Sequence, residues 1–356
     1  MPDVITMGEA LIDFVPQQVD CFLEEVSDFH RAPGGAPANV AVGLARLGVN
    51  TGFMGKVGND AFGRFLQRTL AENEVDTSQL ILTEEAMTTL AFVSLRSDGE
   101  RDFAFYRKPG ADMLYRTEEV DFNYLKGAKI FHFGSISLIV DPAKTTTLEL
   151  VKYARDNGIM VSFDPNIRPP LWDSLDQAVR TIKETLPLAD MVKVNEEELE
   201  ILTDVKLDVQ NMDEAREQLK NACREIYEEG PELVVVTLGN QGSFYYSNTG
   251  SGYVPGFKVK AIDTTGAGDG FVAAVLSKLS ALITSTINDS SLENNTANSN
   301  IAGSNSSGCS WLGKISSEEL EEILTFANKV GAITTTRHGG IPSLPMLEEV
   351  EELEVE

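Results

Sequence analysis

The chain has 356 residues, 42% hydrophobic and 24% charged, which allows one large α/β domain or two smaller ones with a sizeable core. Acidic residues outnumber basic ones by 55 to 29. The net charge of −26, with no basic stripe to offset it, argues against a nucleic-acid or anionic-membrane surface.

In chain order, the N-terminus MPDVITMGEALIDF carries acids and no basic leader, so it does not read as a signal peptide. Short strand-like runs follow one another as VITMG, TGFMGKVG, KIFHFG, IMVSFDPN, MVKVN and LVVVTLG, separated by longer amphipathic stretches. That alternation predicts an α/β fold, a mostly parallel central sheet with helices on both faces. Within GGAPANVAVGLARLG a helix is expected, with Pro37 in its first turn. Val40, Leu44 and Leu47 share one face, and Gly48 closes the end. Residues 13–33 lack a helical pattern, and TLAFVSLRSDGERDFAFYR reads as a hairpin around Ser97–Glu100 with Phe103 and Phe105 alternating. These segments, about 13–33 and 87–116, are expected to form a small β-sheet lid over the ligand edge of a single domain.

Residues 284–313 are loaded with Asn, Ser, Thr and Gly. They read as a flexible, low-complexity insert, dispensable for folding. The acidic tail LEEVEELEVE reads as a solvated helical end. No apolar run looks long enough to span a bilayer. Cys21, Cys223 and Cys309 are scattered and odd in number, which disfavours a disulfide framework; His30, His132 and His338 form no zinc cluster. The expected location is the cytoplasm.

The chemistry concentrates in DTTGAGDGF, residues 263–271, between a strand-like and a helix-like run. A glycine-rich turn opening a helix presents bare N–H groups and the positive end of the helix dipole, which suits a phosphate. Phe271 stands where a dinucleotide fingerprint needs its third glycine, and no Gly-Lys-Ser/Thr follows as a P-loop requires. A carboxylate inside such a turn repels an anion unless it does chemistry beside it. Asp269 fits an acid that accepts the proton of an attacking hydroxyl.

DTTGAGDGFVAAVL, together with GGAPANVAVGLARLG and Gly58, closely resembles the two sequence signatures of the ribokinase-like (PfkB) carbohydrate kinases. The resemblance covers nearly the whole chain except 284–313. It implies a ribokinase-like fold, with ATP as co-substrate and Mg²⁺ and K⁺ as cofactors. Asp269 is then the catalytic base, and the amides of Gly266, Ala267 and Gly268 form the anion hole. On the sugar side the resemblance implies Asp13, Gly34, Gly35, Asn39, Arg107 and Arg168. In KVNEEELEIL, Asn195 and Glu198 lie on one face of a helix start. Alone they would be a cap and a solvated acidic turn; the family's N-x-x-E organises Mg²⁺ and phosphate through water. Lys193, Thr237, Gly239, Gly242 and Asn328 are the implied nucleotide contacts. Asp263, Thr265, Arg337, Gly339 and Ser343 mark the implied monovalent-cation site, mostly through backbone.

The run RKPGADMLY is similar to that of the bacterial fructokinases in this family, with Tyr115 where a second leucine is usual. The expected reaction is therefore phosphorylation of D-fructose at O6. The alternatives are a 2-keto-3-deoxygluconate kinase, which shares the arginine positions, and a non-catalytic sugar- or nucleotide-binding regulator. The partners expected are the sugar and ATP, with no nucleic acid and no membrane, and a homodimer through the lid.

Overall fold

Each of the strand-like runs named above becomes a strand. The computed structural model describes residues 1–16, 18, 22–95, 101–207, 212–293 and 312–353. In chain order the strands are β1 (Val4–Met7), β2 (Leu11–Pro16), β3 (Phe29–Gly34), β4 (Thr51–Gly58), β5 (Asp76–Thr83), β6 (Leu90–Leu95), β7 (Arg101–Tyr106), β8 (Ile130–Gly134), β9 (Met160–Asp164), β10 (Met191–Asn195), β11 (Leu233–Thr237), β12 (Gly242–Ser247) and β13 (Gly250–Pro255). The helices are α1 (Ala36–Arg46), α2 (Ala61–Glu72), α3 (Ala143–Asp156), α4 (Leu175–Thr185), α5 (Glu196–Thr203), α6 (Met212–Glu228), α7 (Ala267–Glu293), α8 (Ser317–Thr334) and α9 (Leu347–Glu352).

Nine strands form one sheet in the order β13-β12-β11-β10-β9-β8-β1-β4-β5. It is parallel from β5 to β11, and β12 turns back antiparallel between β11 and β13. Alternate side chains of each inner strand point to opposite faces, so both faces must be covered. Ile5, Phe131, Val161 and Val192 face a core that includes residues of α3 to α6. Val4, Ile130, Met160 and Met191 face α1, α7 and α8. Each such fully buried side chain contributes about 1.5–3 kcal/mol relative to exposure.

Helix α1 forms as the sequence implies. Pro37 lies in its first turn, Val40 and Leu44 are buried, and Gly48 at φ +82° ends it. It crosses α7 so closely that a Cβ on Gly43 would lie 2.7 Å from the Ala273 Cβ. Both helices therefore begin at the same end of the sheet, beyond the carboxyl ends of the parallel strands, where α/β proteins bind ligands.

The remaining strands make a separate sheet, β3-β2-β6-β7. Strand β2 pairs antiparallel with β3 and parallel with β6, and β6 pairs antiparallel with β7. Phe14 stacks on Phe92 with centroids 4.7 Å apart, and Phe29 meets Phe92 edge-on, which ties the two halves of this sheet together. The expected hairpin turn at 97–100 falls outside the described residues. The part of 87–116 beyond Tyr106 holds no strand, and its Ala111–Leu114 stretch is a single 3₁₀ turn.

Three expectations change. The stretch 284–313 does not begin as a loop: α7 runs on to Glu293, carried by the same apolar helix, and 294–311 lie outside the described residues. The acidic tail is not wholly solvated, because Val350 of α9 is buried and Glu349 pairs with Arg337. Finally, Ala267–Ser285 is long and apolar enough to cross a membrane by length and composition. It forms part of α7, whose first half packs against α1 and α8 in the core, and that burial accounts for its apolar composition.

Candidate active site

A cleft of about 1430 Å³ opens where α1, α7 and the carboxyl ends of β9 to β11 meet the small sheet. Asp13 comes from β2, Gly35 and Asn39 from the start of α1, and Arg168 from the loop after β9; all line it. Lys193, Asn195 and Glu198 line it from β10 and α5, and Thr237, Gly239 and Gly242 from the β11–β12 turn. Asp263, Thr265 and the run Gly266 to Asp269 form another wall, with Asn328 and Gly339 nearby.

The turn before α7 explains its glycines. Gly266 has φ +80°, and a Cβ there would lie 3.0 Å from the Gly340 Cα, so a side chain would meet both backbone strain and a neighbouring backbone. A Cβ on Gly268 would lie 3.2 Å from the Lys193 Nζ, so an ammonium sits directly against the first turn of the helix. Of the three expected anion-hole amides, that of Ala267 donates to the Thr264 carbonyl at 3.2 Å.

Asp269 is buried and accepts a hydrogen bond from the Asn39 Nδ2 at 2.7 Å. Burial raises its pKa, against the opposing influence of Asn39, Lys193, Arg168 and Asn166. A carboxylate raised in this way is a better proton acceptor than an exposed one. The Asn39 Oδ1 is buried without a protein partner, which leaves an acceptor for a ligand hydroxyl.

The sugar-side candidates divide. A Cβ on Gly34 would fall 2.0 Å from the Asp13 Oδ2, so the missing side chain makes room for that carboxylate. Burial pushes Asp13 up to about 7, with Arg168 opposing and Asp269 and Asp263 adding to the rise. Arg168 donates to the Asn166 Oδ1 at 2.8 Å and to the Ile167 carbonyl at 3.2 Å. Arg107 does not line the cleft; its guanidinium is buried in an ion pair with Asp112 at 2.7 Å.

On the other side, Lys193 pairs with Asp164 at 3.1 Å, deep at the ends of β9 and β10. Burial alone would lower the lysine, but Asp164 and Glu198 outweigh it and its pKa is raised. Asn195 caps α5, accepting from the Glu198 N–H at 2.8 Å, while Glu198 accepts from the Asn195 N–H at 3.0 Å and the Ile167 N–H at 2.7 Å. Glu198 thereby holds in place the loop that carries Asn166 and Arg168. Asn328 donates to the carbonyls of Val254 and Pro255, both at 3.2 Å.

Asp263 ties two segments together. Its Oδ1 accepts from the Thr265 N–H (2.9 Å) and hydroxyl (2.7 Å), and its Oδ2 from the Gly339 N–H (2.9 Å). Arg337 and Ser343 stand back from the cleft: Arg337 is paired with Glu349, and the Ser343 hydroxyl donates to the Gly340 carbonyl at 2.8 Å.

Four residues were not singled out from the sequence. Glu9 lines the cleft and accepts from the Ala36 N–H at 3.0 Å; burial pushes it up to about 7. Its signal was an acid embedded in the apolar run VITMGEALIDF. Asp164 and Asn166 sit in FDPNIR, and Asn166 adopts φ +50°, a left-handed conformation that asparagine tolerates better than most residues. Asp112 closes the PGAD of the run RKPGADMLY, which marked the resemblance without pointing to the acid itself.

Asn166 accepts from Arg168 at 2.8 Å and also holds the Asp269 pKa down, which connects the two. Asn166→Ala is expected to lower kcat/KM at neutral pH by about tenfold or more, the worth of a hydrogen bond to a charged group. Because Asn166 also holds the Asp269 pKa down, the acid limb of the kcat/KM profile should move to higher pH. A variant that only loosened the loop would scale the profile without moving its limb.

Comparison with known proteins gives a consistent picture. The sequence model of the pfkB family of carbohydrate kinases matches residues 1–347. Fructokinase-1 of Zea mays is 42% identical over 350 residues, covering 98% of this chain and 97% of its own. The crystal structure of a fructokinase with bound ATP from Xylella fastidiosa superimposes with a TM-score of 0.80 at 34% identity, covering 99% of this chain and 98% of that one. A double-mutant fructokinase from Vibrio cholerae O395, in a form with bound fructose, ADP and potassium ion, gives a TM-score of 0.78 at 31% identity over 98% of this chain and 97% of that one.

Proposed function

Since the chain belongs to the pfkB family of carbohydrate kinases and has the ribokinase-like fold, we propose that it transfers the γ-phosphoryl group of ATP to O6 of D-fructose. The observation that carries the reading is Asp269: a buried carboxylate in the first turn of α7, held by Asn39 at 2.7 Å, with the Lys193 ammonium against the same turn. Asp269 takes the proton of the 6-hydroxyl as that oxygen bonds to the γ-phosphorus and the bond to the bridging oxygen of ADP breaks. Lys193 and the amides of Gly266 and Gly268 face the charge on the transferred group, while that of Ala267 is turned to the Thr264 carbonyl. Asp13, with Gly34 leaving space beside it, Asn39 and Arg168 hold the sugar hydroxyls, and Gly35 lets the backbone approach the ring. Thr237, Gly239, Gly242 and Asn328 border the nucleotide, and Asn195 its phosphates.

The cleft also holds Glu196, Glu197 and Glu198, so a triphosphate needs a compensating cation. Both oxygens of Glu198 are occupied by backbone N–H groups, which suits holding magnesium through its waters. Bound there, magnesium neutralises phosphate charge. Potassium suits the pair of segments that Asp263 joins, where Thr265 and Gly339 would supply backbone oxygens, with Arg337 and Ser343 buttressing the second segment. Rates should fall when potassium is replaced by tetramethylammonium in sodium-free buffer; equal rates would overturn the assignment. The same reading sets the enzyme in the cytoplasm, as a homodimer whose contact uses the lid, where Tyr106 and Phe22 are exposed.

A coupled ADP-release assay across sugars tests the substrate. A site built around buried hydroxyl partners rejects analogues that leave them unpaired, by up to about 10⁴-fold. The expected kcat/KM for fructose is well above those for ribose, glucose and 2-keto-3-deoxygluconate, with fructose 6-phosphate as product. Preference for any of the others would overturn the substrate assignment.

A further inference from the structure

We propose that Asp112 is a specificity-determining residue: together with Glu9 it cancels the charge of Arg107 behind the sugar pocket, which admits neutral sugars and excludes sugar acids. The inference rests on the reading of the cleft as a sugar-kinase site. An arginine beside a sugar pocket would ordinarily recruit a carboxylate. Here it is already taken. The Nε and Nη2 of Arg107 both lie 2.7 Å from the Asp112 Oδ2, and Nη2 also donates to the Ile136 carbonyl at 3.3 Å. The Asp112 Oδ1 accepts from the Thr89 hydroxyl at 2.5 Å, so the carboxylate is held from its other side as well.

Ile136, Phe105 and Glu9 all line the cleft, so the ion pair lies just behind the wall. Glu9 is raised to about 7 by burial, with Asp112 adding to the rise and Arg107 opposing it, which places the three groups in one electrostatic neighbourhood. In front of them stand Asp13 and Asp269, with Arg168 already donating to Asn166 and Ile167. A sugar carboxylate entering this end would lose its water and meet Asp13, Asp269 and Glu9, with the Arg107 guanidinium already consumed by Asp112. A neutral polyol meets acceptors suited to its hydroxyls. Discrimination thus comes from a repulsive arrangement as much as an attractive one.

The test compares kcat/KM for 2-keto-3-deoxygluconate with that for the best neutral sugar in wild type, Asp112→Asn, Glu9→Gln and Arg107→Gln/Asp112→Asn. Asp112→Asn is isosteric and leaves an oxygen for Arg107. It should raise the acid-to-neutral ratio by about tenfold or more. Glu9→Gln should raise it in the same direction, and it carries the test if Asp112→Asn does not fold. The double variant should lose the gain, because the guanidinium that attracts the acid is gone. An unchanged ratio in the folded single variants, or a gain that survives in the double variant, would overturn the proposal. So would a wild-type preference for the sugar acid. Should wild type prefer a neutral sugar other than fructose, the fructose assignment fails while the role of Asp112 stands, since the ratio is then taken against that sugar.

Discussion

Asp269→Asn is expected to lower kcat by about 10²–10⁴-fold, the usual contribution of a positioned general base. The substitution keeps the shape of the side chain and an oxygen that can accept from Asn39, so the 2.7 Å contact and the crossing of α1 with α7 need not change. What the substitution removes is the carboxylate that the proposed role needs as proton acceptor. Nucleotide binding should survive, because Lys193 and the amides of the turn are untouched. Stability should hold or rise slightly: a buried carboxylate with a raised pKa costs desolvation that an amide avoids. The measurements are kcat by ADP release, ATP affinity by calorimetry and Tm. A folded variant with near wild-type kcat would remove Asp269 from the role of base.

Lys193→Met is expected to cost about 3–5 kcal/mol of stability, because it leaves Asp164 buried without its counter-charge. Asp164 is almost wholly buried, its Oδ1 has no protein partner, and its other oxygen relies on Lys193. The double variant Asp164→Asn/Lys193→Met should recover most of the loss. A pH series adds a sign. Burial already raises the Asp164 pKa, and without Lys193 it rises further above the unfolded value. The single variant should therefore be least impaired at acid pH, where Asp164 is protonated in both states. Its deficit should widen as pH climbs through the folded-state pKa. Denaturant unfolding at several pH values measures this. A double variant no more stable than the single one would show that the lysine supports the fold in some other way. KM for ATP should also rise in the single variant, since the ammonium sits against the first turn of α7.

The sequence by itself determined what depends on neighbours along the chain. The apolar runs specified the inner strands of the large sheet, because a strand buried on both faces must be apolar throughout. GGAPANVAVGLARLG specified α1, and the glycines of DTTGAGDGF specified a turn opening α7 with an acid inside it, since turn, cap and helix start are local properties of the backbone. The same locality misled at residues 284–293, where polar composition suggested a loop and the helix already begun at Ala267 continued through.

Only the tertiary structure decided which side chains meet. Asn39 and Asp269 are 230 residues apart and touch because α1 and α7 cross at Gly43 and Ala273. Asp164 and Lys193 pair because β9 and β10 are neighbours in the sheet. Arg107 and Asp112 lie five residues apart, yet nothing in RKPGAD distinguishes an arginine facing a ligand from one consumed by its own chain. Burial decides that, and burial is a property of the packed whole: an ion pair that would be worth little in water becomes binding on both partners once the fold removes the solvent.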